Sequence, residues 1–113
     1  MTTQEAVKIF SKIEAYPPLM RSKARAAYIG KKVDWTATFF SGEMENKKRV
    51  FLAFKHEASD KMIFTRVKLA DYPWLKTAQR GETVQLRGRI EKIDALTIDL
   101  ESVSLTRVAE AIQ

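Results

Sequence analysis

The last third of the chain alternates between apolar and polar residues. The apolar positions that share one phase are Val84, Leu86, Ile90, Leu96, Ile98 and Leu100. Alternation with a period of two residues is typical of strands that bury one face. A tight turn around Asp94 separates the two halves, so the pattern predicts an antiparallel hairpin. Gly88 falls inside the first of these strands, where a glycine favours a bend or a close approach of two backbones.

The charges of this hairpin favour one register. With the turn centred on Asp94, Arg89 lies opposite Asp99 and Arg87 lies opposite Glu101. Opposite charges that face each other across two strands stabilise a sheet by about 0.2–1 kcal/mol. We therefore interpret both arginines as partners of carboxylates rather than as contacts to phosphate.

Three further strands precede the hairpin. The first is indicated by Val33, Trp35, Ala37 and Phe39, which alternate with polar residues, and the second and third are predicted over residues 49–55 and 62–69. An apolar face with helical spacing at Ala6, Val7, Ile9, Phe10 and Ile13 predicts an N-terminal helix. A second short helix follows over residues 19–28, and residues 71–79 predict one more, between the third and fourth strands. Trp35 is expected in the core, and Trp74 at the bottom of the barrel.

The order helix, helix, three strands, helix, two strands matches the connectivity of an OB-fold. Residues 28–35 (YIGKKVDW) and 81–88 (GETVQLRG) resemble the bacterial tRNA-anticodon-like OB-fold family, and the likeness covers roughly residues 26–106. The resemblance implies a mainly β fold, a five-stranded Greek-key barrel with a short helix between strands three and four. Residues 1–30 would form an N-terminal helical extension of the barrel, residues 31–108, within one domain. The resemblance also implies that the ligand is a nucleic acid.

Charge and cysteine content narrow the function classes. The net charge is +6 at pH 7, and residues 21–68 alone carry an excess of seven positive charges. A basic segment of this kind is expected in proteins that bind polyanions. The chain has no cysteine, which excludes disulfides, thiol catalysis and thiolate metal sites and favours a cytoplasmic location. No stretch is apolar for the ~20 residues that a membrane span requires, so we expect no membrane partner.

The candidate site lies on the second and third strands. If their apolar positions point inward, basic and aromatic residues share the outer face, as single-stranded nucleic acid requires. The candidate residues are Lys47, Lys48, Arg49, Phe51, Lys55, Phe64, Arg66 and Lys68. In the alternative interpretation, Phe51 and Phe64 pack beneath the N-terminal helices and the cations are only solvated.

The sequence does not favour an enzyme. His56 is the single histidine, and we expect it in a polar loop beside Glu57 and Asp60, without a nucleophile or a metal-ligand partner. No glycine-rich loop that could hold a phosphate is present, and we expect no cofactor. The leading hypothesis is a binding module for single-stranded DNA or RNA. An interaction or scaffold domain that binds a protein partner or a second copy is the main alternative, and a binder of small molecules or oligosaccharides is the third possibility.

Overall fold

The computed structural model describes residues 1–108 as two helices followed by five strands. The elements are α1 Thr3–Glu14, α2 Pro18–Ala26, β1 Lys32–Met44, β2 Arg49–His56, β3 Met62–Lys68, β4 Thr83–Ile93 and β5 Thr97–Arg107. The strands close into a barrel in the order β1-β2-β3-β5-β4. Neighbours are antiparallel except β3 and β5, which run parallel. This is the strand order of the OB-fold, so the predicted fold class is confirmed.

The long strand β1 closes the barrel because its two halves pair with different neighbours. Residues 32–38 pair with β4, and residues 37–44 pair with β2. The register with β2 shifts between Phe39 and Ser41, which leaves Phe40 unpaired as a bulge. A bulge bends a strand and increases its twist, which allows one strand to serve both sides of a small barrel.

The barrel interior is filled by the inward side chains that alternation predicted. The largest fully buried ones are Trp35, Phe54, Leu52, Ile63, Leu86, Ile90 and Ile98. Helix α1 covers one end of the barrel with Ala6, Phe10 and Ile13. It begins with a capping box in which Thr2 and Glu5 each accept a hydrogen bond from the other's backbone amide. Helix α2, by contrast, buries no residue.

His56 lies in the core and not in the polar loop that we expected. It is the last residue of β2, continues the inward phase of that strand and has no exposed surface. Its ring meets Trp35 and Phe10 edge to face, with centroids 5.1 and 5.6 Å apart. Its Nδ1 is 2.9 Å from the Ser59 hydroxyl, and its Nε2 has no hydrogen-bond partner among residues 1–108. Burial lowers the pKa of His56 to about 4, because the charged imidazolium is poorly solvated there.

The connection between β3 and β4 contains two 3₁₀ turns, Leu69–Asp71 and Pro73–Lys76, where one helix over residues 71–79 was predicted. Tyr72 separates them with a backbone that is not helical, at φ −138° and ψ 67°. A residue that precedes proline is disfavoured in the helical region, which explains the interruption at Pro73. Trp74 is half-buried and packs against the barrel core from this segment, where it also meets Tyr72 edge to face.

The predicted register of the hairpin between β4 and β5 is wrong. Arg89 pairs with Glu101, and Arg87 pairs with Ser104. The turn occupies the three residues between Ile93 and Thr97, and two irregularities then shift the register along the strands. One of them surrounds Gly88, where an added Cβ would lie 2.9 Å from the Glu101 carbonyl oxygen. The close approach that Gly88 indicated is therefore present, while Leu96, predicted inward, is 65% exposed in the turn.

Candidate nucleic-acid interface

Two phenylalanine rings form a stacked pair on the outer face of β2 and β3. Phe51 and Phe64 point outward because they alternate with the buried Val50, Leu52 and Ile63. Their centroids are 5.5 Å apart, and the ring planes differ by 27°. Both rings are half-buried and lie outside the hydrophobic core and the residues packed against it. The alternative in which both rings are buried beneath the helices does not fit this placement.

Arg66 connects this aromatic pair to the β1–β2 turn. Its guanidinium carbon lies 5.0 Å from the Phe51 ring centroid, within cation–π distance. Its Nε donates a hydrogen bond to Glu45 Oε1 over 2.6 Å. The hydrogen bond and the charge of Glu45 raise the pKa of Arg66, so the arginine stays charged while its charge is largely compensated.

Carboxylates border the aromatic pair on both sides. On β1, Glu43 is the register partner of Phe51, and on β5, Asp99 is the register partner of Phe64. Asp99 is partly buried, and the burial raises the pKa of its carboxyl group. The two rings are therefore surrounded by both positive and negative side chains and not by a continuous positive surface.

A group of cations lies at the end of the barrel beside the β1–β2 turn. Asn46 shapes the turn, since its side-chain oxygen accepts hydrogen bonds from the amides of Lys48 and Arg49, both at 2.9 Å. Arg49 is directly opposite Lys68 across β2 and β3, and Lys47 lies in the same turn. The four cationic side chains of this group, Lys47, Lys48, Arg49 and Lys68, are all exposed. Within the described residues, none of them has a carboxylate oxygen within 4.0 Å.

The eight candidate residues thus separate into three groups. Phe51 contacts both Phe64 and Arg66, and the four cations around the turn form a second group. Lys55 is isolated near the far end of β2, where it pairs with Met62. Lys76 was missed: the second 3₁₀ turn places it near Lys68 and Lys48, at a hollow that all three line. The helix that was predicted over residues 71–79 did not indicate that Lys76 would lie beside Lys48 and Lys68.

Neither a metal-binding cluster nor a membrane-spanning helix is found in the part of the chain that the structure describes. Within residues 1–108, no three or more His, Cys, Asp or Glu side chains are grouped so that they could hold a metal ion. None of the helices in these residues combines the length and the apolar character needed to cross a lipid bilayer.

The fold is similar to that of solved OB-like structures at low sequence identity. One is a Klebsiella pneumoniae protein named "putative nucleic acid-binding lipoprotein", with a TM-score of 0.61, 13% identity, and coverage of 90% of this chain and 88% of the other. Another is asparaginyl-tRNA synthetase from Pyrococcus horikoshii, with a TM-score of 0.50 and 16% identity, covering 74% of this chain and 20% of the synthetase. No family model and no curated protein sequence matches the chain. The likeness to the two structures is one of fold.

Proposed function

We propose that the protein is a non-enzymatic OB-fold module that binds single-stranded nucleic acid through the outer face of β2 and β3. The stacked pair of Phe51 and Phe64 beside exposed cations is the observation that carries this proposal. Aromatic rings on such a face stack bases, at about 1–3 kcal/mol per base. The names of both similar structures refer to nucleic acid, which supports the same ligand class. Membership of the tRNA-anticodon-like family and a cytoplasmic location are parts of this proposal.

The charges assign different roles to the cations of this face. Lys48, Arg49 and Lys68 have no carboxylate oxygen within 4.0 Å in the described residues, so we assign the phosphate contacts to them. The charge of Arg66 is compensated by Glu45, so Arg66 contributes to binding through its contact with the Phe51 ring. The carboxylates beside the rings repel phosphate. We therefore expect weak binding that depends on salt and tolerates many sequences.

The salt dependence of affinity tests the phosphate contacts. Fluorescence anisotropy with a labelled oligothymidylate, measured between about 50 and 200 mM salt, gives the slope of log affinity against log salt. Lys68→Ala should reduce the slope by about 0.7, because the variant neutralises one phosphate fewer than the wild type does. Arg66→Ala should change it less, because Glu45 already compensates that charge. Lys8→Ala, an exposed lysine on α1, is the matched control and should bind as the wild type does.

Two results would contradict the phosphate contacts. One is the absence of binding at low salt with micromolar protein. The other is a Lys68→Ala slope that equals the slope of the wild type and of the Lys8→Ala control. The first result would favour a protein ligand over nucleic acid, and the second would show that Lys68 contacts no phosphate.

Helix α2 supports a second candidate function, the binding of a protein partner or a second copy. The helix buries no residue, and Leu19 at its start is 96% exposed. Tyr16 and Met20 beside it are also exposed, so an apolar corner faces the solvent. Binding at such a corner would respond little to salt and would be lost on Leu19→Asp. Sedimentation velocity with wild type and variant detects self-association through this corner.

A further inference from the structure

A groove opens at the end of the barrel, between the β1–β2 pair and the 3₁₀ segment. Its cavity measures about 300 Å³, and seven of the ten residues that line it are apolar, among them Phe39, Met44, Val50, Leu52, Leu69 and Leu75, while polar atoms contribute to its surface almost as much as apolar ones. Gly42 also lines it, and a Cβ there would approach Leu52 Cδ2 to 3.0 Å. The volume lies at the small end of the range for ligand pockets, which suits one small molecule or a single short chain.

Lysines surround the outer end of this groove. An adjoining hollow of about 390 Å³ shares Leu69 and Lys76 with the groove and is further lined by Lys47, Lys48 and Lys68. None of these four lysines has a carboxylate oxygen within 4.0 Å among residues 1–108. Like charges placed close together repel each other, and an anion bound between them would remove that repulsion.

We propose that the groove and its lysines form a binding site for a small amphiphilic anion. An alkyl or acyl chain would occupy the apolar groove, and its phosphate or carboxylate head would contact Lys68 and Lys76, with Lys47 and Lys48 close by. The groove itself is separate from the aromatic face of β2 and β3, whereas Lys47, Lys48 and Lys68 are shared with the cations proposed to contact nucleic acid. The alkyl or acyl chain of the ligand would cover apolar surface of the groove and exclude water from it. The lysines would make the site selective for an anionic head group.

The groove fits an alkyl chain better than a nucleobase. Phe39 is 7% exposed and is held edge to face against Phe54, so no free ring face is available for stacking. The charged residues that line the groove are Lys76 and Glu43, the register partner of Phe51. A base placed there would leave several donors and acceptors of its edge without partners, which is unfavourable in an apolar site. An alkyl chain has no such groups.

Titration with octyl phosphate, kept below its micelle concentration, tests the site on the whole protein. In ¹H–¹⁵N correlation spectra we expect shifts confined to the amides around Met44, Leu52, Leu69 and Leu75. Hexyl phosphate should bind about tenfold more weakly, since each buried methylene contributes ~0.8 kcal/mol. The double variant K68A/K76A should bind octyl phosphate about tenfold more weakly than wild type. Lys8→Ala, with its lysine on α1, should bind as wild type does, and the same spectra show that every variant is folded.

Three outcomes would overturn the proposal. The first is an absence of shifts at these amides with millimolar octyl phosphate. The second is equal affinity for octyl phosphate and inorganic phosphate, which would leave an anion site without a chain site. The third is an oligothymidylate that shifts the groove amides around Met44, Leu52 and Leu75 as octyl phosphate does, which would assign the groove to nucleic acid.

Discussion

Acidification should destabilise the protein through one residue, His56. The imidazole is fully buried between Trp35 and Phe10, and its Nε2 has no acceptor among the described residues. Protonation would place a positive charge in this position, with the Lys61 ammonium 5.6 Å from the centroid of the Phe10 ring beside it. The folded state therefore holds His56 neutral, and the pKa of His56 is lowered from 6.5 to about 4.

The magnitude follows from the difference in protons bound by the two states. Between pH 6.5 and about 4, the unfolded chain binds a proton at His56 that the folded protein does not bind. The free energy of unfolding then falls with falling pH, by about 1.4 kcal/mol per unit. From about pH 7.5 to about pH 4.5 the loss attributable to His56 is about 2.5 kcal/mol. The loss begins near pH 6.5 and is complete below the folded pKa.

Urea unfolding of the wild type and of His56→Gln at several pH values isolates this effect. Asp99, whose pKa is raised by burial, and Glu82, whose pKa is lowered by its hydrogen bond from Arg107, also titrate in acid. Both carboxyl groups are present in the two proteins, so their contributions cancel in the difference. We expect the wild type to lose about 2.5 kcal/mol more than the variant over this range. Equal pH dependence of the two proteins would refute the argument that the imidazole is buried and neutral.

Two further predictions concern stability. Gly88→Ala should destabilise the protein by about 1–3 kcal/mol in urea unfolding, because the new methyl group meets a backbone oxygen, whereas Gly42→Ala meets the movable Leu52 side chain and should cost less. Equal effects of the two changes would contradict the close approach of β4 and β5. Lys61→Met should lower thermal stability, with a loss of about 1–3 kcal/mol, because the buried ammonium donates to Glu14 and to the Ala95 carbonyl and so joins α1 to two loops. An unchanged melting temperature would show that these hydrogen bonds contribute nothing.

The strands and the core could be predicted from the sequence because the barrel buries one face of each strand. Trp35, Phe54 and Leu86 occupy the positions that alternation assigns to the interior. His56 continues the same phase in β2, and its burial was missed because the predicted second strand ended at residue 55 and left His56 in the following loop. The alternation of buried and outward residues in β2, continued by one residue, places His56 in the core.

The hairpin register and the groove could not be predicted from the sequence. Alternation fixes which face a residue occupies, but the three-residue turn and the two register shifts determine which residues pair, and Arg89 therefore meets Glu101. Closure of the barrel brings Lys76, on the second 3₁₀ turn, next to Lys68 on β3. The outward placement of Phe51 and Phe64 followed from alternation, while the pairing of Arg66 with Glu45 depends on the shape of a turn.

The affinity of the Phe51→Leu, Phe64→Leu double variant for a labelled oligothymidylate tests the central claim most directly. Leucine keeps apolar bulk on the outer face of β2 and β3 but removes the two rings that we propose to stack bases. Fluorescence anisotropy should show a loss of at least about tenfold in affinity, since stacking contributes ~1–3 kcal/mol per base. The salt slope should stay unchanged, because the double variant keeps every cation that we propose to contact phosphate. Wild-type affinity in the double variant would contradict the claim that this face binds single-stranded nucleic acid.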